Sequence, residues 1–211
     1  MMDKTRASRL KKVVKALGKT GLLLVGDNRL PSLVRIIAGK PIRGSWWAHP
    51  LGGQIFTTAN DLEAHPDVLL IKLISEKLTF VHRRLWPSLY SIGTAREAWQ
   101  MQPLSPLAKS VLTKLDKEGE LFSDVMAAVG GYQSNSLKAA IKELEKNILV
   151  LSENYHTEKG SHAKRLESWR MWAERVGPLK KIAPGQAKEE LNKIMARLNT
   201  DFGAKGILPW H

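Results

Sequence analysis

Between Ser105 and Trp169 the spacing of the apolar residues changes along the chain, and that change limits the folds open to it. Leu107, Val111, Leu112 and Leu115 recur at three- and four-residue intervals, as one buried face of a helix requires. Ser105 suits an N-cap, and Pro106 suits the first helical position because its missing N–H would be unpaired there anyway. GELFSDVMAAVG (119–130) reads as a short second helix capped by Ser123. GYQSNSLKAAIKELEKN (131–147) reads as a third, with Leu137, Ala140, Ile141 and Leu144 on its buried stripe. ILVLSENYHTEKGSHAKRLESW then reads as a strand, a polar loop, and either a strand or a helix.

The first half repeats much of this scheme. KTRASRLKKVVKALGKTG predicts a helix over 5–18, with Leu10, Val13, Val14 and Leu17 inward and Gly18 as its stop. LPSLVRIIAG predicts a short helix over 30–38, with Pro31 near its first turn and Gly39 at its end. GLLLVGDN suits a strand and turn, and GSWWAHPLGG suits a loop. GQIFTTANDLEAH (53–65) predicts a third helix, and His65-Pro66-Asp67 its terminating turn. DVLLIKL and KLTFV flank Ser75-Glu76, the pattern of a hairpin. A helix follows near RRLWPSLYSIG. The Pro-containing link at 100–106 marks a boundary, giving a basic module over 1–100, a second module over 101–176 and a helical appendage over 177–211. Leu191, Ile194, Met195 and Leu198 line one face of that appendage, which either packs on its own chain or pairs with a second copy.

Helix, short helix, helix and hairpin, in that order, resemble a winged helix-turn-helix over residues 104–167. The polar turn GGYQSNS ahead of the third helix fits the resemblance. With helices at 5–18, 30–38 and 53–64 and a hairpin at 67–82, the first half is similar. Tandem modules of this kind resemble, in architecture only, the bacterial DNA glycosylases built from winged-helix repeats. The Gln-x-Gln-type motif of those enzymes has its nearest counterpart in Gln54-Ile55-Phe56, which lacks the second polar residue, so glycosylase activity is not implied. The expected fold class is α+β.

Charge favours a polyanionic partner. The chain carries 33 Lys and Arg against 20 Asp and Glu, a net +13, and each phosphate neutralised releases condensed counterions. Residues 1–100 hold 16 of those cations and 7 of the acids, so +9 resides there. The absence of cysteine excludes disulfides, thiol catalysis and Cys-ligated zinc, and a reducing cytoplasm is the simple setting. No apolar run approaches the roughly 18 residues of a membrane span, and no secretory leader pattern is present. Phosphate-binding glycine loops and the G-x-S-x-G elbow are absent too, so no cofactor is expected.

Double-stranded DNA is the expected partner. In a winged helix the third helix reaches base edges, which assigns that role to Gln133, Ser134, Asn135 and Lys138. The same Ser134 or Asn135 could instead cap that helix. Lys159, Lys164 and Arg165 fall at the wing, Lys11 and Lys12 on the basic first helix, and His82, Arg83 and Arg84 in VHRRLWP, all suited to phosphate. Trp46 and Trp47 either fill a core or stack on a ligand; in an extended segment they would point to opposite sides. The expectation is one shared cluster of GSWWAHP with VHRRLWP, its rim facing phosphate. A second reading is a nucleic-acid-processing enzyme with His49, His82 and Lys77 as acid-base groups. A third is a protein-interaction module centred on the Trp pair. Binding without catalysis is favoured, and the histidine spacings match no metal motif.

Overall fold

The computed structural model describes residues 4–157, 160 and 162–211. The protein is α+β. In chain order it runs α1 (Lys4–Thr20), β1 (Leu22–Leu24), α2 (Leu33–Ala38), α3 (Gly52–Glu63), β2 (Val68–Ile74), β3 (Lys77–His82), α4 (Trp86–Gly93), α5 (Ala98–Met101), α6 (Pro106–Glu118), β4 (Glu120–Phe122), α7 (Ser123–Val129), α8 (Ser134–Lys146), β5 (Leu151–His156), β6 (His162–Glu167), α9 (Trp169–Val176) and α10 (Pro184–Phe202). Two compact units result. One holds the chain up to Trp86 together with Glu189–Pro209 and His211; the other holds Pro87–Lys188 and Trp210. The division thus falls inside α4 and α10, while the 100–106 link lies within the second unit. Among the described residues no helix is long and apolar enough to cross a membrane.

In the first unit, β1, β3 and β2 form an antiparallel sheet in that order. Val13 and Leu17 of α1, Ile55 and Leu62 of α3, and Phe80 of β3 meet in its core. The two-residue turn at Ser75-Glu76 holds both residues at positive φ, 50° and 59°, the left-handed geometry that a tight hairpin requires and that non-glycine residues resist. The end of the chain supports it: Ser75 N–H donates to the Ile207 carbonyl at 2.8 Å, and Ile207 N–H donates to Ser75 Oγ at 3.2 Å. The short second helix starts later than its sequence suggests. Pro31 lies outside it, and Ser32 caps it by accepting from Arg35 N–H.

The apolar face of α10 is closed within the same unit. Leu191, Met195 and Leu198 are at most 4% exposed, and a Cβ on Gly206 would meet the Met195, Ile74 and Leu30 side chains. Of the two alternatives for this stripe, packing on its own chain is the one observed.

Within the second unit, α6 to β6 repeat the order of α1 to β3: helix, strand, helix, helix, strand, strand. Its sheet runs β4-β6-β5, again with the short first strand beside the last. Ser105 caps α6 by accepting from Ala108 N–H, as the sequence indicates. GELFSDVMAAVG behaves differently. Glu120–Phe122 pairs with β6, and the helix begins only at Ser123. Ser123 Oγ accepts from Lys164 N–H at 2.8 Å, fastening α7 to β6 instead of capping its own helix. The segment 162–167, left open between strand and helix, is strand. Trp169 and Trp172 dock α9 edge to face at 5.4 Å, both buried.

Candidate nucleic-acid interface

Helix α1 carries seven Lys or Arg on 17 residues and no carboxylate. Lys11, Lys15 and Lys19 are exposed at four-residue spacing, opposite the buried Val13 and Leu17. Like charges so placed repel along a helix. The helix survives because its apolar stripe is buried in the core. Arg6 is drawn off to Asp61 of α3 through two hydrogen bonds of 2.8 and 2.6 Å. Lys12 is exposed and reaches the Ile36 carbonyl at 3.4 Å. The stripe that remains is a cationic surface with no acid of its own helix beside it.

The VHRR stretch follows β3 and is committed largely to holding the fold. Arg84 donates to the Gly18 carbonyl at 2.7 Å and the Lys19 carbonyl at 3.5 Å, satisfying the end of α1 where the helix dipole favours a cation. Arg83 pairs with Asp67 at 3.6 Å and lies 5.5 Å over the Trp86 ring. Both guanidinium groups are thus less available to phosphate than the sequence suggests.

His82 serves the backbone. Its Nδ1 accepts from Arg84 N–H at 3.3 Å, capping the short helical turn at Arg83–Leu85. His49 and His65 make the same bond to the N–H two residues on, at 3.1 and 3.2 Å. In each, an accepting Nδ1 leaves the proton of the neutral ring on Nε2. His49 and His82, which suggested acid-base chemistry, are therefore turn formers, as is His65 in the turn that ends α3. Burial and then the Arg84 charge push the His82 imidazole below its ordinary value. A group whose folded pKa lies below its unfolded one stabilises the fold above the unfolded pKa, about 6.5, and loses that contribution as pH falls through the folded value. Thermal stability should accordingly decline as pH drops below about 6.5. His82→Asn, which keeps a short accepting cap, should flatten that decline in melting curves taken between pH 7.5 and 5; an unchanged slope would show that other groups carry it.

The proposed acid-base trio does not assemble. Lys77 and His82 lie at opposite ends of β3, five residues or about 17 Å apart. Lys77 is tied to Asp27 at 2.7 Å beside a cavity of about 260 Å³ that Arg29 and Lys205 also line. The Trp stretch belongs to the Lys77 end. A Cβ on Gly26 would lie 3.9 Å from Trp46, and the adjoining Val25 N–H bonds the Leu78 carbonyl. His82 instead faces Gly18, whose Cβ would lie 3.7 Å from Nε2. GSWWAHP and VHRRLWP are thus two clusters, not one. The tryptophans are not extended either. They form a short helical turn, Trp46–Ala48, with rings stacked at 4.2 Å. Among the described residues no group of three or more His, Asp or Glu is placed to hold a metal ion.

In the second unit, Gln133, Ser134, Asn135, Ser136 and Lys138 are all exposed at the start of α8. Gln133 occupies the N-cap position but makes no capping bond through its side chain. The cations expected at a wing fare otherwise. Lys164 pairs with Glu145, and Arg165 pairs with Glu120 and, at 3.4 Å, with Glu153. These contacts bind β6 to its neighbours and leave little for phosphate. His156 and His162 face each other across β5 and β6 at 4.3 Å, both exposed. Lys159 lies outside the described residues.

Compared with family models, with curated proteins and with solved structures, the chain matches none. Any functional reading therefore rests on the residues of the chain itself. Sequence reading passed over one feature that was in plain view: residues 28–60 contain Arg29, Arg35, Lys40 and Arg43 but no Asp or Glu. Phe56 of α3 is 45% exposed although it adjoins the fully buried Ile55.

Proposed function

We propose that the chain is a tandem winged-helix protein that binds double-stranded DNA. The observation that carries this reading is α1, a helix of seven cations without a carboxylate whose exposed Lys11, Lys15 and Lys19 make a linear track. Such a track gains by releasing counterions from a polyanion. The repeated element order and the matching sheet order of the two units support winged helices. In that fold the third helix enters the major groove, whose width in B-DNA admits a helix and whose counterpart in RNA does not. Helix α8 then offers Gln133, Asn135 and Lys138 to base edges, while Lys11, Lys12 and Lys15 position the chain on phosphate. Chemistry at His49, Lys77 and His82 forms no part of the proposal, since Lys77 and His82 lie at opposite ends of β3.

Fluorescence anisotropy with a random-sequence duplex, titrated from 50 to 300 mM salt, tests it. Affinity should fall linearly on logarithmic axes, with a slope of about −0.9 per phosphate engaged. Lys11→Ala/Lys15→Ala/Lys19→Ala should make that slope shallower by about 2 to 3. Absence of binding at 50 mM salt, or a slope unaltered by the triple substitution, would remove the proposal's basis.

A further inference from the structure

Trp47 is presented to solvent by a rigid turn. Its side chain is 64% exposed. One face is backed by Trp46 at 4.2 Å and 21°, and Phe56 flanks it at 5.3 Å. Trp46 in turn packs on the core of the first unit. The turn that carries the pair is closed by hydrogen bonds. Ser45 Oγ accepts from Trp47 N–H at 3.4 Å, His49 N–H donates to the Trp46 carbonyl at 3.1 Å, and Gly52 N–H donates to the His49 carbonyl at 2.7 Å. Only glycine fits at 52, because a Cβ there would lie 2.7 Å from the Trp47 carbonyl oxygen. The ring is therefore oriented before any partner arrives, which lowers the entropic cost of using it.

The loop that leads into this ring carries cations and no acid. Lys40 and Arg43 are exposed in the loop that leads into it, and the whole stretch 28–60 lacks an acid. Exposed Gln54 and Asn60 add amide donors and acceptors on α3, which has no Lys or Arg. His49 accepts from Leu51 N–H through Nδ1 at 3.1 Å, which leaves Nε2 outside that turn bond. A flat apolar platform beside the exposed Lys40 and Arg43 suits a ligand that is flat, aromatic and anionic. A nucleobase on its phosphate backbone is such a ligand, but a paired base inside a duplex has both faces covered by its neighbours. Only an unpaired base exposes one.

We infer that Trp47, backed by Trp46 and flanked by Phe56, stacks an unpaired nucleobase while Arg43 and Lys40 hold the adjoining phosphates. This rests on the DNA-binding reading and adds to it a preference for disrupted duplex over intact duplex. Base–aromatic stacking is tolerant of base identity, so the preference concerns strand state and not sequence.

Two duplexes of equal length, one fully paired and one with a single bulged 2-aminopurine, separate the two claims at one salt concentration. The wild-type protein should bind the bulged duplex about tenfold more tightly, and 2-aminopurine emission should be quenched on binding. Trp47→Ala should abolish both the preference and the quenching while leaving paired-duplex affinity unchanged, and Trp47→Phe should restore part of each. Equal wild-type affinity for the two duplexes would overturn the inference but not the DNA-binding reading. So would a preference that survives Trp47→Ala, or an equal loss on both duplexes. No binding to either duplex would overturn both.

Discussion

Gly93→Ala is expected to melt the second unit more than 10 °C below the wild type. Gly93 ends α4, and a Cβ placed on it would lie 2.2 Å from Trp169 Nε1, 2.3 Å from Cε2 and 2.6 Å from Cδ1. No rotation of a flexible tip can relieve this, because the intruding atoms belong to a planar indole that is 3% exposed. Moving the ring would also break its bond to the Ile148 carbonyl, made at 2.8 Å in a buried setting. Overpacking and a lost buried hydrogen bond together cost about 3 kcal/mol. For a unit of about a hundred residues that is a shift of more than 10 °C. Gly53→Ala is the matched control. A Cβ there meets nothing within 4 Å, and alanine suits a helix better than glycine, so its melting temperature should be unchanged or slightly higher. Calorimetry on both variants decides the matter; a near-neutral Gly93→Ala would mean that α4 and α9 are not packed as described.

Lys164→Ala should reduce stability by about 2–3 kcal/mol, whatever it does to DNA affinity. Its partner Glu145 is 5% exposed at the side chain and also accepts a hydrogen bond from Ser152. Removing the ammonium takes the cation from a carboxylate in a poorly solvated place, which costs more than the pair itself contributes. The double variant Lys164→Gln/Glu145→Gln should recover much of the loss, because two amides can bond each other without burying charge. Chemical denaturation of the single and double variants gives the coupling directly. If Lys164→Ala proves as stable as the wild type but binds duplex weakly, then Lys164 is a phosphate contact, and its pairing with Glu145 contributes little.

The order of elements was legible where local chemistry alone decides it. Ser105-Pro106 announces the start of α6, Ser75-Glu76 sits in the hairpin turn between two β-rich runs, and the apolar stripes of α1 and α8 match their buried faces. The three-residue strand β4 was not legible. Leu121 and Phe122 continue the apolar pattern of the next helix, and only their pairing with Leu166 and Arg165, more than forty residues on, makes them strand. The site was read less well for a related reason. A cation or histidine in sequence shows its chemistry but not its partner. Arg84 is drawn to the end of α1, Arg165 to Glu120, and His82 to its own turn, so the groups that look most reactive are among the most occupied. Lys11, Lys15 and Lys19 of α1 and Gln133, Asn135 and Lys138 of α8 are exposed where the helical period places them.

Gly203 and Arg29 are 174 positions apart yet hydrogen-bonded at 2.7 Å, and α10 past Lys188 belongs to the first unit. During synthesis, therefore, the second unit has all but Trp210 of its chain before the first receives its closing helix. The N-terminal unit must wait, with the groove meant for Leu191, Met195 and Leu198 open to the ribosome's surroundings, and would be the last to become protease-resistant. Pulse-labelled nascent chains would show a resistant downstream fragment appearing ahead of the upstream one, the reverse of the usual order along a polypeptide.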